Sequence, residues 1–341
     1  MAYTTINKSR DFFSPTLYSG TGAIQTVSGV GFEPSWIWTK SRTNAGNHQV
    51  TDQVRGLTKY IRPNATNAED TKTNAITAVN SDGFVLGADS SNDINASGQT
   101  YASWSWKANG AGSSNTDGSI TSTVSVDTTS KCSIVKFTAS GSGGTVGHGL
   151  GVAPKAIIFK RLDAASDWAV YHESLGNVNM CFLNTTTAAS SNASILNSTS
   201  PTSSVFTVGS SNIVTGGPVI AYCFAEVQGF SKVSSYIGNG DTDGMFIYTG
   251  FKPAWVLIKN TQANESWFLY DNKRGYNGSM AALFPNETAV DAFANNIDFL
   301  SNGFKLKTAG AILNGNTTSY IYMAFAAAPL VGSNNVPANA R

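Results

Sequence analysis

The most distinctive polar element of the sequence is an Asp-x-x-Arg-Gly motif that occurs twice. The first copy supplies Asp52 and Arg55, and the second, in the segment YDNKRG, supplies Asp271 and Arg274. An arginine of this kind could bind a sugar or the carboxylate of a neighbouring molecule. The same spacing also lets Asp and Arg pair across a tight turn that the glycine ends. A motif that maintains the fold is expected in every repeat, even if the repeats differ in function. The structural interpretation is therefore favoured, and polar binding is the alternative.

Residue types that commonly bind metals are few and scattered. The three histidines, His48, His148 and His172, lack zinc-like spacing, and the three cysteines are widely separated. Cys223 lies in the apolar, strand-like segment VIAYCFAE and is expected to be a small core residue. We therefore expect no metal site, no cofactor and no cofactor-binding residue.

Catalytic motifs are also missing from the sequence. The glycine-rich segment GSGGTVGHGLG is followed by a strand-like segment, whereas a phosphate-binding loop is followed by a long helix. There is no Gly-x-Ser-x-Gly nucleophile elbow. Carboxylates that could pair for glycoside cleavage do not recur, since Glu33 aligns with Ala153 and Lys252. The sequence therefore predicts a protein that is not an enzyme and has no catalytic residue.

Composition and charge narrow the class of protein further. Charged residues make up 13% of the 341 residues and the formal net charge is +1, which argues against a nucleic-acid-binding surface. Hydrophobic residues reach 41%, too many for a disordered chain. No segment approaches the roughly 18 consecutive apolar residues of a membrane span, and the N-terminal segment MAYTTINKSRDFF has no apolar signal core. We expect neither a nucleic-acid partner nor a membrane span.

One phrase occurs three times and indicates a tandem repeat. It reads GFEPSWIWTK at 31–40, GVAPKAIIFK at 151–160 and GFKPAWVLIK at 250–259. In the middle copy YHESLG takes the place of the Asp-x-x-Arg-Gly motif, with Glu173 for the Asp and Leu175 for the Arg. The aligned features recur about every 100 residues, which is the size of a domain.

Residue periodicity predicts an all-β protein with three tandem antiparallel β-sandwiches and little helix. The repeated phrase alternates like a strand and is apolar on both faces, as a central strand is. We expect Trp36, Ile158 and Leu257 to be buried, and short helices at most near 64–74 and 288–294. The predicted division is an N-terminal docking segment 1–16, a first repeat 17–110, a linker 111–130, a second repeat 131–228, a third repeat 229–328 and a C-terminal tail 329–341.

The order of these motifs resembles that of a family of bacteriophage virion proteins. The resemblance covers nearly the whole chain and is carried by MAYTTINKSRDFFSPTLYSGTG, GFEPSWIWTK, Asp-x-x-Arg-Gly, SDGF, YASWSWKA and the C-terminal APLVGSNNVPANAR. Proteins of this family are common in marine, cyanophage-like viruses and are labelled tail fibre or virion structural protein. Their repeats are similar to lectin-like sandwiches of the concanavalin type. The middle copy departs from the pattern because it lacks the Trp and the Arg.

This resemblance implies a non-enzymatic virion protein on the surface of the phage particle, with the tail favoured over the capsid. It also implies a contribution to the recognition of host-surface glycan. A capsid decoration or head fibre is the alternative, and a polysaccharide-degrading tail enzyme is less favoured. The implied partners are other virion proteins, host glycan and further copies of the chain, with a homotrimer as one form.

Phe12 and Phe13 lie beside charged residues before the first repeat. Their rings either fold back on the first repeat or dock on a neighbouring virion protein or a symmetry mate. Docking is the favoured interpretation, because a virion protein must be anchored. In that arrangement the loops at 184–199 and 277–286 face the host.

Overall fold

The computed structural model of the chain describes residues 3–332, Asn334 and Val336. The fold class is all-β, as the sequence predicts, and the paired strands are antiparallel. Helix in the described residues is limited to single turns: the α-helix α1 Ala193–Leu196 and the 3-10 helices Ser9–Asp11 and Glu173–Leu175.

The strands of the first repeat form two sheets and one small pair. They are β1 (Phe13–Ser19), β2 (Gln25–Val27), β3 (Trp36–Ser41), β4 (Gln49–Asp52), β5 (Lys59–Tyr60), β6 (Asp70–Thr71), β7 (Ile76–Asn80), β8 (Gly83–Leu86) and β9 (Thr100–Trp106). The larger sheet has the order β1-β9-β3-β4 and the smaller sheet the order β2-β8-β7, while β5 pairs with β6. The short helix expected near 64–74 does not form, and this segment is a loop that contains β6.

The second repeat also has a larger and a smaller sheet. Its strands are β10 (Ser113–Asn115), β11 (Ser122–Asp127), β12 (Cys132–Ala139), β13 (Gly144–Gly147), β14 (Ala156–Arg161), β15 (Ala169–His172), β16 (Asn179–Phe182), β17 (Ser190–Ser191), β18 (Val205–Val208) and β19 (Gly217–Phe224). The larger sheet has the order β10-β11-β12-β19-β14-β15-β16-β17, and β13 pairs with β18. Residues 111–130, expected to be a linker, instead supply β10 and β11 to the larger sheet.

The third repeat has the same two-sheet organisation. Its strands are β20 (Ser231–Ile237), β21 (Phe246–Tyr248), β22 (Phe251–Asn260), β23 (Phe268–Tyr276), β24 (Ser279–Leu283), β25 (Ala292–Ala294), β26 (Ile297–Leu300), β27 (Gly303–Leu306) and β28 (Ser319–Pro329). The larger sheet has the order β20-β28-β22-β23-β24-β25 and the smaller sheet the order β21-β27-β26. The helix expected near 288–294 does not form, because this segment runs extended into β25.

One strand order recurs in the three larger sheets. The opening strand pairs with the closing strand, which pairs with the strand of the repeated phrase, which pairs with the next strand: β1-β9-β3-β4, β12-β19-β14-β15 and β20-β28-β22-β23. The register is also the same, since the residue two positions after the proline of the phrase pairs with the last aromatic of the closing strand: Trp36 with Trp106, Ala156 with Phe224, and Trp255 with Phe325. Strand pairing therefore identifies equivalent positions in the three repeats.

The three larger sheets face one another around a shared core. Trp106, Phe224 and Phe325 occupy one equivalent position, and their ring centroids lie 6.3, 5.7 and 5.7 Å apart. Three equivalent residues, one from each repeat, contact one another in this way when the repeats are arranged about a threefold axis. We call this arrangement the internal trimer. The prediction of burial is confirmed for the phrase-strand residues Trp36, Ile158 and Leu257, at 2%, 2% and 1% exposure.

Each larger sheet covers its other face with residues of its own repeat. In the first repeat Ile37 packs in one core with Phe84 and Leu86. In the second repeat the Phe159 ring contacts the Phe206 ring at a centroid distance of 5.4 Å. The phrase strand is apolar on both faces because one face enters the shared core and the other enters the core of its own repeat.

Phe13, the first residue of β1, lies in the shared core. It is 1% exposed, and its ring centroid lies 4.8 Å from that of Trp106 and 5.0 Å from that of Phe325. Phe12 is partly buried and contacts Phe230 at 6.0 Å. The structure therefore contradicts the docking role expected of Phe13, whose ring is enclosed, whereas Phe12 keeps part of its surface exposed. Both rings fold back onto the chain, because the shared core offers them apolar surface from the first and third repeats.

Candidate functional site

The Asp-x-x-Arg-Gly motif forms a fully buried ion pair in the first and third repeats. The distance from Arg55 Nε to Asp52 Oδ2 is 2.6 Å, and that from Arg274 Nε to Asp271 Oδ2 is also 2.6 Å. All four side chains have no exposed surface. The backbone N–H of each arginine also donates to its aspartate, at 2.8 and 3.1 Å. This geometry is that of the tight turn favoured by the sequence, and it leaves these guanidinium groups out of reach of a ligand from solvent.

The aspartate of each motif also binds a neighbouring repeat. Tyr222 Oη donates to Asp52 Oδ2 at 2.7 Å, and Trp104 Nε1 donates to Asp271 Oδ2 at 2.8 Å. Tyr222 and Trp104 have the same register on their closing strands. The first repeat is thereby bonded to the second, and the third is bonded to the first.

The middle repeat has His172, and not Glu173, at the position of the motif aspartate. His172 has the register on β15 that Asp52 has on β4. The sequence alignment places Glu173 at this position, one residue too far along the chain, because YHESLG has an acid directly beside the equivalent position. His172 Nδ1 accepts from the Ser174 backbone N–H, so Nε2 carries the proton and donates to the Tyr322 carbonyl at 3.2 Å. This bond joins the second repeat to the third.

The second repeat lacks all three charged residues of the motif: the aspartate, the arginine and the second acid that bonds the arginine. In the other repeats the arginine bonds a second acid, Glu69 at 3.2 Å or Asp291 at 2.7 Å. Ala189 takes the place of this acid, since all three residues donate a backbone N–H to an equivalent carbonyl of a neighbouring repeat. Leu175 takes the place of the arginine, and both replacements pack against the shared core. Removal of both partners together is what a structural ion pair requires, because a lone buried charge is costly.

The lysine that ends each repeated phrase is buried and bonds between repeats. Burial lowers the pKa of each of the three amines to about 8. Each amine donates to a threonine carbonyl of a different repeat: Lys40 to Thr288 at 3.1 Å, Lys160 to Thr66 at 3.2 Å, and Lys259 to Thr186 at 2.9 Å. Sequence reasoning missed this role. The available signal was the recurrence of a lysine at one position in a chain with few charges.

A ring N–H makes a further bond at each junction between repeats. His48 has the position that Trp168 and Trp267 have in the other repeats. The ring nitrogens bond to backbone carbonyls of the neighbouring repeat: His48 Nε2 to Phe284 at 3.0 Å, Trp168 Nε1 to Arg62 at 3.0 Å, and Trp267 Nε1 to Phe182 at 2.8 Å. With these bonds every junction carries the same three types of contact, and the three repeats close into a ring.

One surface cavity is lined by a carboxylate. A cavity of 570 Å³ lies against Tyr3, Thr129 and Glu226. The Glu226 carboxylate accepts from the Val233 backbone N–H at 2.9 Å and from the Lys232 amine at 3.2 Å. It is therefore committed to structural contacts.

Neither a metal-binding group of side chains nor a membrane-spanning helix occurs in the part of the chain that the structure describes. Within it, no three His, Cys, Asp or Glu side chains are grouped to hold a metal ion. None of its helices has the length and apolar character needed to cross a membrane. The three cysteines, Cys132, Cys181 and Cys223, are buried and unpaired.

The fold and these contacts define an all-β framework in which three repeats close around a shared core. The chain belongs to the family described as Domain of unknown function (DUF7483), whose model matches residues 8–329. No curated protein and no solved structure matches the chain. The matched segment contains all three repeats, so the internal trimer as a whole corresponds to one family unit.

We expect the protein to lose stability in mild acid, because two histidines are buried at the junctions between repeats. Burial lowers the pKa of His48 well below its usual value and that of His172 to about 4, whereas histidine in the unfolded chain titrates near about 6.5. The unfolded state therefore binds more protons between about pH 6.5 and pH 4. The free energy of unfolding should fall as the pH decreases through this window. Urea titrations at about pH 7, 6 and 5 check this, because the buried lysines with a pKa of about 8 change the free energy of unfolding above that range.

His172→Asn is the matched variant for this prediction. An asparagine can accept from the Ser174 N–H as a cap but does not titrate. The acid-induced loss should be smaller in this variant. Aspartates with a lowered pKa, such as Asp163, titrate below the window. Identical pH profiles for the variant and the wild type would show that His172 has no part in the loss.

Proposed function

We propose that this protein is a non-enzymatic structural and recognition protein of a bacteriophage particle, associated with the tail. The supporting observation is that buried ionisable side chains at one equivalent position bond one repeat to another: Asp52, His172 and Asp271 each bind a neighbouring repeat. A catalytic acid or base needs access to a substrate proton in a cleft. These side chains have neither access nor a free position, so they serve a rigid framework.

A framework of three similar repeats suits recognition of a repetitive surface. Several weak sites on one body bind a repetitive ligand more tightly than one site does. The polysaccharide of a host cell surface is such a ligand. Loops rich in Asn, Ser, Thr and Gly offer it amide and hydroxyl groups. Other virion proteins are the proposed partners for attachment to the particle.

The two loops expected to face the host have different positions in the structure. The loop at 184–199 begins at a junction, where the Thr186 carbonyl accepts from Lys259. The segment 277–286 begins at the tip of the β23–β24 hairpin, next to Tyr276, which is 74% exposed. The second of these is the better candidate for contact with a host.

Self-association, with a homotrimer as one form, is a further prediction from the sequence. The internal trimer provides a threefold arrangement within one chain, so one copy could occupy a threefold position of a particle. Light scattering of the purified protein measures its mass and distinguishes a monomer from a homotrimer.

Location in the intact particle tests the proposed function. Antibodies against the purified protein, viewed on particles by electron microscopy, should label the tail. Labelling of the capsid would favour the decoration or head-fibre alternative. Particles that contain no such chain would refute a virion role. Purified protein should also block adsorption of particles to host cells if it contributes to recognition.

We expect no release of reducing ends when the purified protein is incubated with host polysaccharide. The physical reason is that the motif carboxylates are buried in ion pairs, and Glu226 is bonded at the cavity described above. A reducing-sugar assay measures this, with a known polysaccharide hydrolase as the positive control. Activity that disappears on substitution of one Asp or Glu would refute the non-enzymatic assignment.

A further inference from the structure

The third repeat carries a surface groove next to an exposed aromatic ring. Tyr276, at the end of β23, is 74% exposed. It borders a cavity of 460 Å³ whose lining includes Met280 and Phe299, which are 2% and 5% exposed, together with Lys252 and Asn272. The groove therefore combines an apolar floor, an aromatic ring, an amide and an amine, which is the mixture found in small-molecule sites.

The hairpin that presents Tyr276 is held rigidly. The Asn277 side chain donates to the Phe299 carbonyl and accepts from the Phe299 N–H, both at 2.9 Å, and the next backbone N–H donates to Asp298 at 2.8 Å. Gly275 has a φ of +108°, and a Cβ there would lie 2.3 Å from a backbone carbonyl oxygen. The backbone that carries the ring therefore loses little conformational freedom when a ligand binds.

The polar groups of the groove lack partners within the described chain. Asn272 Oδ1 is buried without a hydrogen-bond partner among the described residues, which is rare for a polar atom in a folded protein. No ion pair found among those residues includes Lys252. The equivalent positions in the first and second repeats are Glu33 and Ala153. The cation is therefore specific to the third repeat and is free for an anionic group.

We propose that this groove binds an anionic saccharide, a uronic acid residue of a polysaccharide. The C–H face of the sugar ring would pack on Tyr276, and the carboxylate would pair with Lys252. The inference rests on the proposed function and deepens it, since it names the class of glycan and the repeat that binds it.

Calorimetric titration of the full chain with a hexamer of galacturonate tests the inference, with a galactose hexamer as the neutral probe. The uronate should bind more tightly than the neutral hexamer, and added salt should weaken its binding. Tyr276→Ala and Lys252→Gln should each weaken it about tenfold. Ile24→Ala removes a side chain of equal exposure, 74%, and Lys307→Gln removes an equal charge. Both controls should bind as the wild type does.

Equal binding by all variants, or no binding of uronate, would overturn the groove assignment. Thermal unfolding of each variant confirms that it is folded. Adsorption assays separate this outcome from failure of the proposed function. If the wild type blocks particle adsorption and the Tyr276 and Lys252 variants block it equally, the proposed function stands and the groove assignment fails. If uronate binding is lost in these variants but the wild type does not block adsorption, the groove assignment stands and the recognition role fails.

Discussion

Arg55→Leu should lower the free energy of unfolding by about 3–5 kcal/mol, the usual cost of leaving buried charge without a partner. In the wild type the guanidinium group bonds the carboxylates of Asp52 and Glu69 and the carbonyl of Val50. Leucine removes all three bonds, and the Asp52 carboxylate stays buried. Urea titration at neutral pH measures the loss.

The second repeat supplies the rescue for this variant. Adding Glu69→Ala and Asp52→His to Arg55→Leu reproduces the set of the middle repeat, in which no charge is left alone. This triple variant should recover most of the lost stability and come within about 1–2 kcal/mol of the wild type. Lys8→Ala is the control, because the pair of Lys8 with Asp11 is exposed and should be worth less than about 1 kcal/mol. A triple variant no more stable than the single one would contradict the account of the motif as a structural ion pair.

Phe13→Ala should lower the free energy of unfolding by about 3–5 kcal/mol, as loss of a fully buried aromatic does. Its ring lies among residues of the first and third repeats, so the substitution opens a cavity in the shared core. Phe12→Ala is the matched control. That ring is only partly buried, and its loss should cost roughly 1 kcal/mol. Thermal or urea unfolding measures the loss of stability in each variant. Equal losses would contradict the placement of Phe13 in the core.

Deletion of residues 2–14 should be destabilising for the same reason. It removes Phe13 and the first pairings of β1 with β9. A weakened fold would therefore be enough to explain a loss of incorporation into particles by this deletion, without a missing anchor. Phe12→Ala separates the two explanations, because it changes an N-terminal side chain while leaving the shared core intact. A truncated protein as stable as the wild type would contradict this prediction.

The sequence alone determined the fold class, the three repeats and the buried face of the phrase strand. These are local properties: alternation assigns side chains to two faces of a strand, and turn residues separate one strand from the next. The burial of Trp36, Ile158 and Leu257 follows from that alternation and from the recurrence of apolar residues on one face of the phrase strand.

Only the tertiary structure decided what each of those faces meets. Asp52 binds Tyr222, which is 170 positions away in the chain, and nothing local to either residue indicates the other. The same holds for Phe13 against Phe325 and for Lys40 at the Thr288 carbonyl. Alternation tells which side of a sheet a residue is on, but its partner depends on how three sheets pack around one core. That packing is set by the summed fit of many distant side chains, and no single motif encodes it.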